Sequence, residues 1–434
     1  MKPFKGDPAL ESAAPEVVRV AQAERLERHV AWCASHSPYY RRVFKQTGLK
    51  KADVSLDRLN DLPLTDKADF ARHNDDFLAV PRDAIVDIVL SSGTTGKPTR
   101  IMYTERDLRR LAYNEQLSFA GCGIGTGDVA LLTCTMDRCF IAGLAYFLGM
   151  RALGAAAIRN GHGTLASHLE IIKMIKPTVL VGVPSFLRKL ATYLGDHGIN
   201  ATQTSIRKLV CIGEPVRGAD MALLKLGNDL QTFWNADVYS TYASSECIST
   251  FCECTAQCGG HLHPDLAIIE ILDDAGRPVV PGQPGEVVLT PLDMEGMPLI
   301  RFRTGDVSFL MTEPCSCGRT SPRLGPIVGR RQQMMKVRGT TLYPQAVFAA
   351  LDEIPGLGDY YLEIIGKDHL SDDLVIHLGL RAGQPSPDWL RERLQACLRV
   401  TPVIVIDPEE KVRQHLYSPE SRKPVRVFDR RTSA

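Results

Sequence analysis

The run Ser91–Thr99 combines the residue types that bind phosphate groups. It reads Ser-Ser-Gly-Thr-Thr-Gly-Lys-Pro-Thr and directly follows an apolar segment, Ile85–Leu90, that predicts a strand. Its glycines let the backbone approach a ligand closely, and its hydroxyls, backbone N–H groups and lysine can all donate to phosphate oxygens. The spacing differs from the Walker motif. For such a run in isolation a flexible turn is the alternative interpretation, so the rest of the sequence must decide.

A second set of residues has the side chains that bind zinc. The pairs Cys252/Cys254 and Cys315/Cys317 each have the form Cys-X-Cys, and Cys258 lies between them. Four such ligands with no open position would make a structural tetrahedral site. The sequence favours the ligands Cys254, Cys258, Cys315 and Cys317, with Cys252, His261 and His263 as further candidates. Scattered reduced thiols are the alternative.

Five of the other cysteines lie in apolar runs and are expected in the core. They are Cys122, Cys134, Cys139, Cys211 and Cys397.

The elements around these motifs change character along the chain. Residues 1 to 80 predict helices, and the β-branched runs at 85–90, 129–132, 179–183 and 209–212 alternate with helical patterns, which indicates parallel α/β layers. Residues 265–310 predict strands joined by turns. We therefore expect an α/β fold: a large N-terminal domain (1–329) of layered α/β subdomains with a small antiparallel β subdomain, then a small mobile α+β domain (330–434).

Composition excludes several classes of protein. The 434 residues include 51 Lys+Arg and 50 Asp+Glu, for a net charge of +1, and 44% are hydrophobic. A disordered chain would be less apolar, and a nucleic-acid binder more basic. The N-terminus lacks the apolar region of a signal peptide, and no run is long and apolar enough to span a membrane. We expect a cytoplasmic protein without nucleic-acid or membrane partners.

Further motifs follow the glycine-rich run in a fixed order. They are Tyr242-Ala-Ser-Ser-Glu246, Pro298-Leu-Ile-Arg-Phe-Arg-Thr-Gly-Asp306, Gly329-Arg330, Lys336-Val-Arg-Gly339 and Lys423. In this order and spacing they resemble the adenylate-forming superfamily over nearly the whole chain. Within it, His36-Ser-Pro-Tyr-Tyr40 and the Arg-Phe-Arg-Thr-Gly-Asp string look most like the phenylacetate coenzyme A ligase family. Some related proteins carry a zinc knuckle like the one predicted here.

The resemblance implies roles for particular residues. The phosphate-binding residues would be Ser92, Gly93, Thr94, Thr95, Gly96 and Lys97. Tyr242 would lie against adenine, Glu246 would bind magnesium, Asp306 would bind the ribose hydroxyls and Arg330 would reach the ribose-phosphate region. Glu214, Pro215 and Ser245 would complete the nucleotide site. Lys423 would contact the carboxylate and the α-phosphate during adenylation, where a cation stabilises the anionic transition state. A charged, frayed tail is the alternative for Lys423.

The resemblance also maps an acid pocket. Its residues are Phe140, Ala142, Gly143, Gly213, Ser240, Thr241 and Ala243. Ala243 stands where the family usually has glycine, and its methyl group narrows the pocket floor in favour of a flat aromatic acid. Polar neighbours such as Ser240 and Thr241 could bond ring hydroxyl or amino groups.

These expectations combine into one activity. The enzyme would use ATP and Mg²⁺ to convert a hydroxy- or amino-substituted benzoate or phenylacetate to an acyl-adenylate, releasing pyrophosphate, and would transfer the acyl group to coenzyme A. Transfer to a carrier protein or an amine is the alternative, and a non-enzymatic zinc scaffold is a third. Structural Zn²⁺ is a further expected cofactor, and a homodimer is among the expected partners.

Overall fold

The computed structural model describes residues 4–49, 53–91, 99–337, 340–354, 357–367, 371–379, 385–398, 400–417 and 425–431. The chain divides into two compact units. The first comprises Met1–Thr304 with Ser308–Ile327, and the second comprises Gly305–Val307 with Val328–Ala434. The predicted boundary between residues 329 and 330 lies beside this division. The sequence pattern did not indicate that the short segment Gly305–Val307 joins the second unit.

Helices predominate in the N-terminal part of the first unit. They are α1 (Pro15–His36), α2 (Pro38–Thr47) and α3 (Lys67–Arg72). The Ser37 hydroxyl accepts a hydrogen bond from the Tyr40 N–H and caps α2, and the Asp66 carboxylate caps α3 in the same way. Proline at the first position suits the start of α1 and α2, because no intrahelical acceptor is available for an N–H there.

The strands β1 (Ile85–Ser91) and β2 (Thr99–Thr104) form a two-stranded antiparallel sheet. Ser91 lies opposite Thr99, so the segment 92–98 joins two paired strand ends. The prediction that 85–90 belongs to the parallel layers was wrong. A β-branched run indicates a strand but does not select its partner, and here the next strand follows in sequence after a short connection.

A six-stranded sheet forms the centre of the first unit. Its strands lie in the order β4-β3-β5-β6-β7-β8, with the first five parallel and β8 antiparallel to β7. They are β3 (Val129–Leu132), β4 (Ala156–Arg159), β5 (Val179–Gly182), β6 (Lys208–Ile212), β7 (Asp237–Ser244) and β8 (Ser249–Cys252). All four residues of β5 are buried, as expected for a central parallel strand covered on both faces. The predicted α/β layers are confirmed.

Five helices accompany this sheet: α4 (Glu105–Gly121), α5 (Ile141–Leu153), α6 (Leu165–Ile175), α7 (Pro184–Asp196) and α8 (Lys225–Trp234). A capping box begins α4, in which Thr104 and Asp107 satisfy each other's backbone N–H groups. Helix α4 lies beside β8, where the Asn114 side chain donates to the Thr250 carbonyl and accepts from the Thr250 N–H.

Two small antiparallel sheets follow. The strands β10 (Ala267–Leu272), β11 (Gly285–Pro291) and β12 (Phe302–Ser308) are successive neighbours, and β13 (Leu310–Met311), β14 (Arg323–Leu324) and β9 (Gly260–His261) form the other sheet. The predicted change from α/β to antiparallel structure is present.

The second unit has an α+β core. Its four-stranded sheet has the order β20-β19-β18-β21, with helices on the same stretch of chain. Its elements are β15 (Gly329–Arg330), β16 (Met335–Val337), β17 (Thr340–Leu342), α9 (Pro344–Asp352), β18 (Tyr360–Lys367), β19 (Ser371–Gly379), α10 (Pro387–Leu398), β20 (Val403–Asp407), α11 (Glu409–Leu416) and β21 (Val427–Asp429). In the described ranges, no helix combines the length and the hydropathy needed to cross a bilayer.

Candidate active site

Two of the predicted motifs lie outside the described residues. These are the phosphate-binding residues 92–97 and Lys423, and their roles stay predictions. The described residues of the predicted site fall into a group at the ends of β6 and β7, a pair in the second unit, and the cysteine cluster.

The carboxyl ends of the parallel strands β6 and β7 bring two predicted segments to one edge of the sheet. In open α/β sheets this edge is where ligands bind. Gly213 follows β6 with φ of 73°, a backbone conformation that favours glycine. The next residue, Glu214, accepts hydrogen bonds from the Ser185 N–H and hydroxyl, each at 2.9 Å, at the start of α7. Its carboxylate therefore fixes the strand end to a helix, and Pro215 beside it is exposed.

Glu246 lies in the turn between β7 and β8. It is 8% exposed, and the Ser244 hydroxyl donates to its Oε2 at 3.3 Å. The Tyr103 hydroxyl donates to the carbonyl of Ser245 and holds the same turn. Lys67 Nζ lies 3.7 Å from Glu246 Oε1. The sequence did not predict a role for Lys67, because no motif distinguishes a lysine in the first turn of a short helix from an ordinary surface lysine.

The predicted acid-pocket residues lie on β7 and at the start of α5. Thr241 Oγ1 lies 3.0 Å from Cys252 Sγ, and the Ser240 N–H donates to Glu253 Oε2 at 2.8 Å. Ala243 is exposed, Tyr242 and Ala142 are half-buried, and Phe140 is 39% exposed. A side chain at Gly143 would begin 2.2 Å from the Thr135 carbonyl oxygen. Glycine is therefore required at Gly143 by close packing.

Asp306 and Arg330 are direct partners in the second unit. They lie opposite each other where β12 pairs with β15, and Arg330 Nε is 3.2 Å from Asp306 Oδ1. The two residues that the resemblance assigns to the ribose and its phosphate are thus neighbours, although 24 positions separate them in the sequence.

Four side chains converge in the first unit to form a group that could hold a metal ion. Their ligand atoms all lie within 4.8 Å of one another, and the residues are Cys254, His261, Cys315 and Cys317. Cys254 Sγ lies 3.6 Å from Cys315 Sγ, and Cys317 Sγ lies 3.4 Å from His261 Nε2. Thiolates around a tetrahedral zinc ion, with zinc–sulfur distances of about 2.3 Å, lie roughly 3.8 Å apart. The geometry and the donor set both fit zinc.

The side chains of this cluster are largely buried. Burial raises the pKa of Cys254 to about 12 and lowers the pKa of His261 to about 4, so His261 is neutral, as a metal ligand must be. Burial also acts to raise the pKa of Cys317, but hydrogen bonds from the Arg319 N–H and other donors outweigh it and lower that pKa.

The cluster includes His261 in the place that the sequence analysis gave to Cys258. Cys258 is not in the group, and its carbonyl oxygen accepts from Arg323. The other two candidates are engaged elsewhere. His263 Nδ1 contacts Glu11 and its Nε2 lies 3.2 Å from Ser118 Oγ, while Cys252 Sγ lies 3.2 Å from Cys122 Sγ. Spacing alone could not reveal this, because β9 brings His261 towards the Cys315–Cys317 turn through its pairing with β14.

The expected core cysteines divide into two sets. Cys122, Cys134 and Cys211 are buried, as predicted, whereas Cys139 and Cys397 are exposed. The prediction for those two was wrong, because apolar neighbours in sequence do not determine which way one side chain points.

Charged and polar side chains contact the cysteine cluster. Arg319 Nη1 lies 3.8 Å from Cys317 Sγ, and its Nε donates to Glu11 Oε2 at 2.8 Å. His261 Nδ1 lies 3.0 Å from Ser321 Oγ. A histidine that ligates metal usually has its second nitrogen held in this way. The sequence analysis missed Glu11 and Arg319, which are 308 residues apart.

Comparison with known proteins identifies the family to which this chain belongs. Residues 11–291 match the family described as AMP-binding enzyme. The chain is 32% identical to the phenylacetate-coenzyme A ligase of Thermus thermophilus, over 84% of this chain and 82% of that protein. It is 28% identical to the phenylacetate-coenzyme A ligase of Escherichia coli, over 98% of each.

Solved structures show the same architecture. A 2-hydroxyisobutyryl-CoA ligase in its postadenylation state superimposes with a TM-score of 0.84 at 23% identity, covering 97% of this chain and 91% of that one. At this identity the likeness concerns the fold. The predicted fold class, the predicted family and the predicted enzyme class are confirmed. The chain belongs to the AMP-binding enzymes of the adenylate-forming superfamily, and it is an AMP-forming acid–thiol ligase similar to the phenylacetate-coenzyme A ligases.

Proposed function

We propose that this enzyme activates a small aromatic acid, a hydroxy- or amino-substituted benzoate or phenylacetate, and transfers it to coenzyme A. The single observation that carries the acid class is the 32% identity, over most of both chains, to a phenylacetate-coenzyme A ligase. The exposed ring of Phe140 and the methyl group of Ala243 support a flat substrate.

The reaction has two steps. In the first, a carboxylate oxygen of the acid attacks the α-phosphorus of ATP, the bond to the β-phosphate oxygen breaks, and pyrophosphate leaves. In the second, the sulfur of coenzyme A attacks the acyl carbon and AMP leaves with the bonding electrons. Both steps develop negative charge on oxygen, so the enzyme needs donors and cations directed at the phosphates. The run 92–97 and Lys423 have the composition for that task.

Glu246 is our candidate magnesium ligand. Magnesium held by this carboxylate would supply positive charge that offsets the charge of the phosphates. The Glu246 carboxylate is mostly buried, held by Ser244 and balanced by Lys67. Carboxylate oxygens are the ligands that a hard cation such as magnesium prefers.

The nucleotide would bind at the edge where β6 and β7 end. Tyr242 offers a half-buried ring to adenine, and the segment Gly213–Pro215 is held by the bonds between Glu214 and α7. In the second unit, Asp306 can accept hydrogen bonds from ribose hydroxyls, and Arg330 Nε lies 3.2 Å from its Oδ1.

The structural zinc site is part of this proposal. A Cys₃His set with no open position would bind zinc without a role in the chemical step. The supporting observation is the convergence of four ligand atoms within 4.8 Å.

A pyrophosphate-release assay with purified protein tests the activity. The panel would include benzoate, phenylacetate, their hydroxy and amino derivatives, 2-hydroxyisobutyrate and hexanoate, each with and without coenzyme A. We expect aromatic acids to give the highest kcat/KM and coenzyme A to raise turnover with formation of a thioester. Preference for an aliphatic acid would contradict the substrate class. Activation without a response to coenzyme A would favour a carrier protein or an amine as the acceptor.

A further inference from the structure

Glu115 is a buried carboxyl group to which the reaction described above gives no role. It lies on α4, is 1% exposed, and accepts one hydrogen bond, from the Thr250 hydroxyl at 2.5 Å to Oε1. Its other oxygen, Oε2, is buried without a hydrogen-bond partner among the described residues. A buried polar atom without a partner costs free energy, about 1–3 kcal/mol, so its retention calls for an explanation.

The residues around Glu115 connect it to the acid pocket. Thr250 lies directly opposite Ala243 in the β7–β8 pair. The Thr250 N–H and C=O both bond to Asn114, away from β7, so Ala243 and Thr250 form a pair without mutual hydrogen bonds. In such pairs the two side chains lie on one face of the sheet, with Cβ atoms about 5 Å apart. Thr250 therefore contacts the Glu115 carboxyl through its hydroxyl and lies opposite Ala243 on the neighbouring strand.

The opposite side of Glu115 is formed by α5, which begins with the other pocket residues. A side chain at Gly149 would begin 2.2 Å from Glu115 Cβ, so this glycine makes room for the glutamate. Tyr146 lies one turn before Gly149 and one turn after Gly143, and it interacts electrostatically with Glu115. Glu115 is thus enclosed between the two elements, β7–β8 and α5, that carry the proposed acid pocket.

The side chains that surround Glu115 are uncharged. The groups near Glu115 are the Thr250 hydroxyl, Tyr146 and the thiol of Cys134. Burial raises the pKa of Glu115 to about 7, although the bond from Thr250 opposes this. Near neutral pH the free oxygen can therefore accept a hydrogen bond in either form of the carboxyl group, and can also donate one when protonated.

We propose that Glu115 is a specificity-determining residue at the inner end of the acid pocket, where Oε2 hydrogen-bonds to a hydroxyl or amino substituent on the acid. This inference rests on the proposed function. An acid without the substituent leaves the oxygen unpartnered, and a site built around such a bond discriminates strongly against the analogue that lacks it.

The test compares pairs of acids that differ in one substituent. Pyrophosphate release would be measured for benzoate and phenylacetate against their 2-, 3- and 4-hydroxy and amino derivatives, with wild type, Glu115→Leu, Glu115→Gln and Asp265→Asn. Asp265 is the matched control, because it is another buried acid with one unpartnered oxygen that contacts α4, but through Tyr113.

For Glu115→Leu we expect the ratio of kcat/KM between the best substituted acid and its parent to fall by roughly 10- to 100-fold. Asp265→Asn should leave the ratio within about threefold of wild type. An unchanged ratio in folded Glu115→Leu would overturn the inference and leave the proposed function intact. A wild type that activates none of these aromatic acids would instead overturn the proposed function, and the inference with it.

A second measurement covers the case in which Glu115→Leu does not fold. An ionised carboxylate accepts a hydrogen bond more strongly than a neutral carboxyl group does. In wild type, the ratio of kcat/KM between the best substituted acid and its parent should therefore rise between pH 6 and 8, as Glu115 ionises. The nearby Tyr146 and Cys134 have pKa values raised by burial and stay neutral in this range. Glu115→Gln should remove the pH dependence, and a ratio that changes with pH equally in both proteins would overturn the inference.

Discussion

Arg319 donates to the buried carboxylate of Glu11 over 2.8 Å and across 308 residues of sequence. Arg319 also contacts Cys317, and Glu11 contacts His263. The segment around Glu11, a short 3₁₀ helix at Pro8–Ser12, is thereby bound to the cysteine cluster.

Glu11→Gln should destabilise the first unit by about 3 kcal/mol, because it leaves the Arg319 guanidinium without its buried counter-ion. Denaturant unfolding followed by fluorescence would measure the loss. Asp57→Asn is the control, since Asp57 pairs with Arg19 on an exposed surface, where the change should stay below about 0.5 kcal/mol. Equal effects of the two substitutions would contradict the importance of the Glu11 contact.

Elemental analysis should find about one zinc ion per chain. His261→Ala and Cys317→Ser should each lower the zinc content and the melting temperature, because each removes one of four ligands. Cys258→Ser should change neither quantity, because Cys258 lies outside the group. Zinc loss from Cys258→Ser with full retention in His261→Ala would refute this ligand set in favour of a four-cysteine site.

Lys423→Ala should reduce adenylate formation by at least 100-fold while largely preserving thioester formation from a supplied acyl-adenylate. The resemblance assigns this lysine to the first step, where it would stabilise charge on the α-phosphate. Each half-reaction would be followed separately by pyrophosphate and by thioester release. Arg413→Ala, which removes an exposed cation from α11, is the matched control. Equal loss in both half-reactions would indicate a role in folding.

Ala243→Gly should broaden the range of accepted acids towards larger ones without abolishing adenylation. Removal of the methyl group deepens the pocket floor opposite Thr250. The comparison of kcat/KM for benzoate with that for a biphenyl carboxylate would measure the change. A variant with unchanged relative rates would show that Ala243 does not limit the pocket.

His29 should make the first unit sensitive to acid. Its Nε2 donates to the Leu299 carbonyl at 2.8 Å, and burial lowers its pKa from 6.5 to about 4. As the pH falls below 6.5 the unfolded chain binds a proton that the folded chain does not, so stability is lost between pH 6.5 and 4, by roughly 3 kcal/mol.

His29→Gln should flatten this dependence, because glutamine can donate the same hydrogen bond and does not titrate. Urea unfolding at pH 7.5 and pH 4.5 would measure it. His197→Gln changes an exposed histidine and should keep the wild-type difference between the two pH values. The same difference in His29→Gln as in wild type would contradict the assignment.

The sequence of each segment predicted the positions of the strands better than it predicted which strands pair with each other. The runs at 129–132, 179–183 and 209–212 became parallel strands as expected, whereas 85–90 paired in a hairpin with β2. Cys254, Cys315 and Cys317 lie close together, and the fourth side chain of the group is His261, which the register of β9 against β14 brings there. Their role as zinc ligands stays a prediction. Glu115 could not be found from sequence, because a glutamate on a helix is usually solvated. The mobility of the second unit, the cytoplasmic location, the carrier-protein alternative and the homodimer stay predictions.

Asn114 has a consequence for the solubility of the protein. β8 is the last strand of the six-stranded sheet, and the fully buried Asn114 amide occupies the outward N–H and C=O groups of Thr250. An unoccupied strand edge is a template on which another chain can add a strand and start aggregation. The helix side chain removes that template at the middle of β8. In Asn114→Ala the Thr250 N–H and C=O would lack these partners even while α4 lies against the sheet. During refolding the variant should therefore scatter more light than wild type, and the excess should rise with protein concentration.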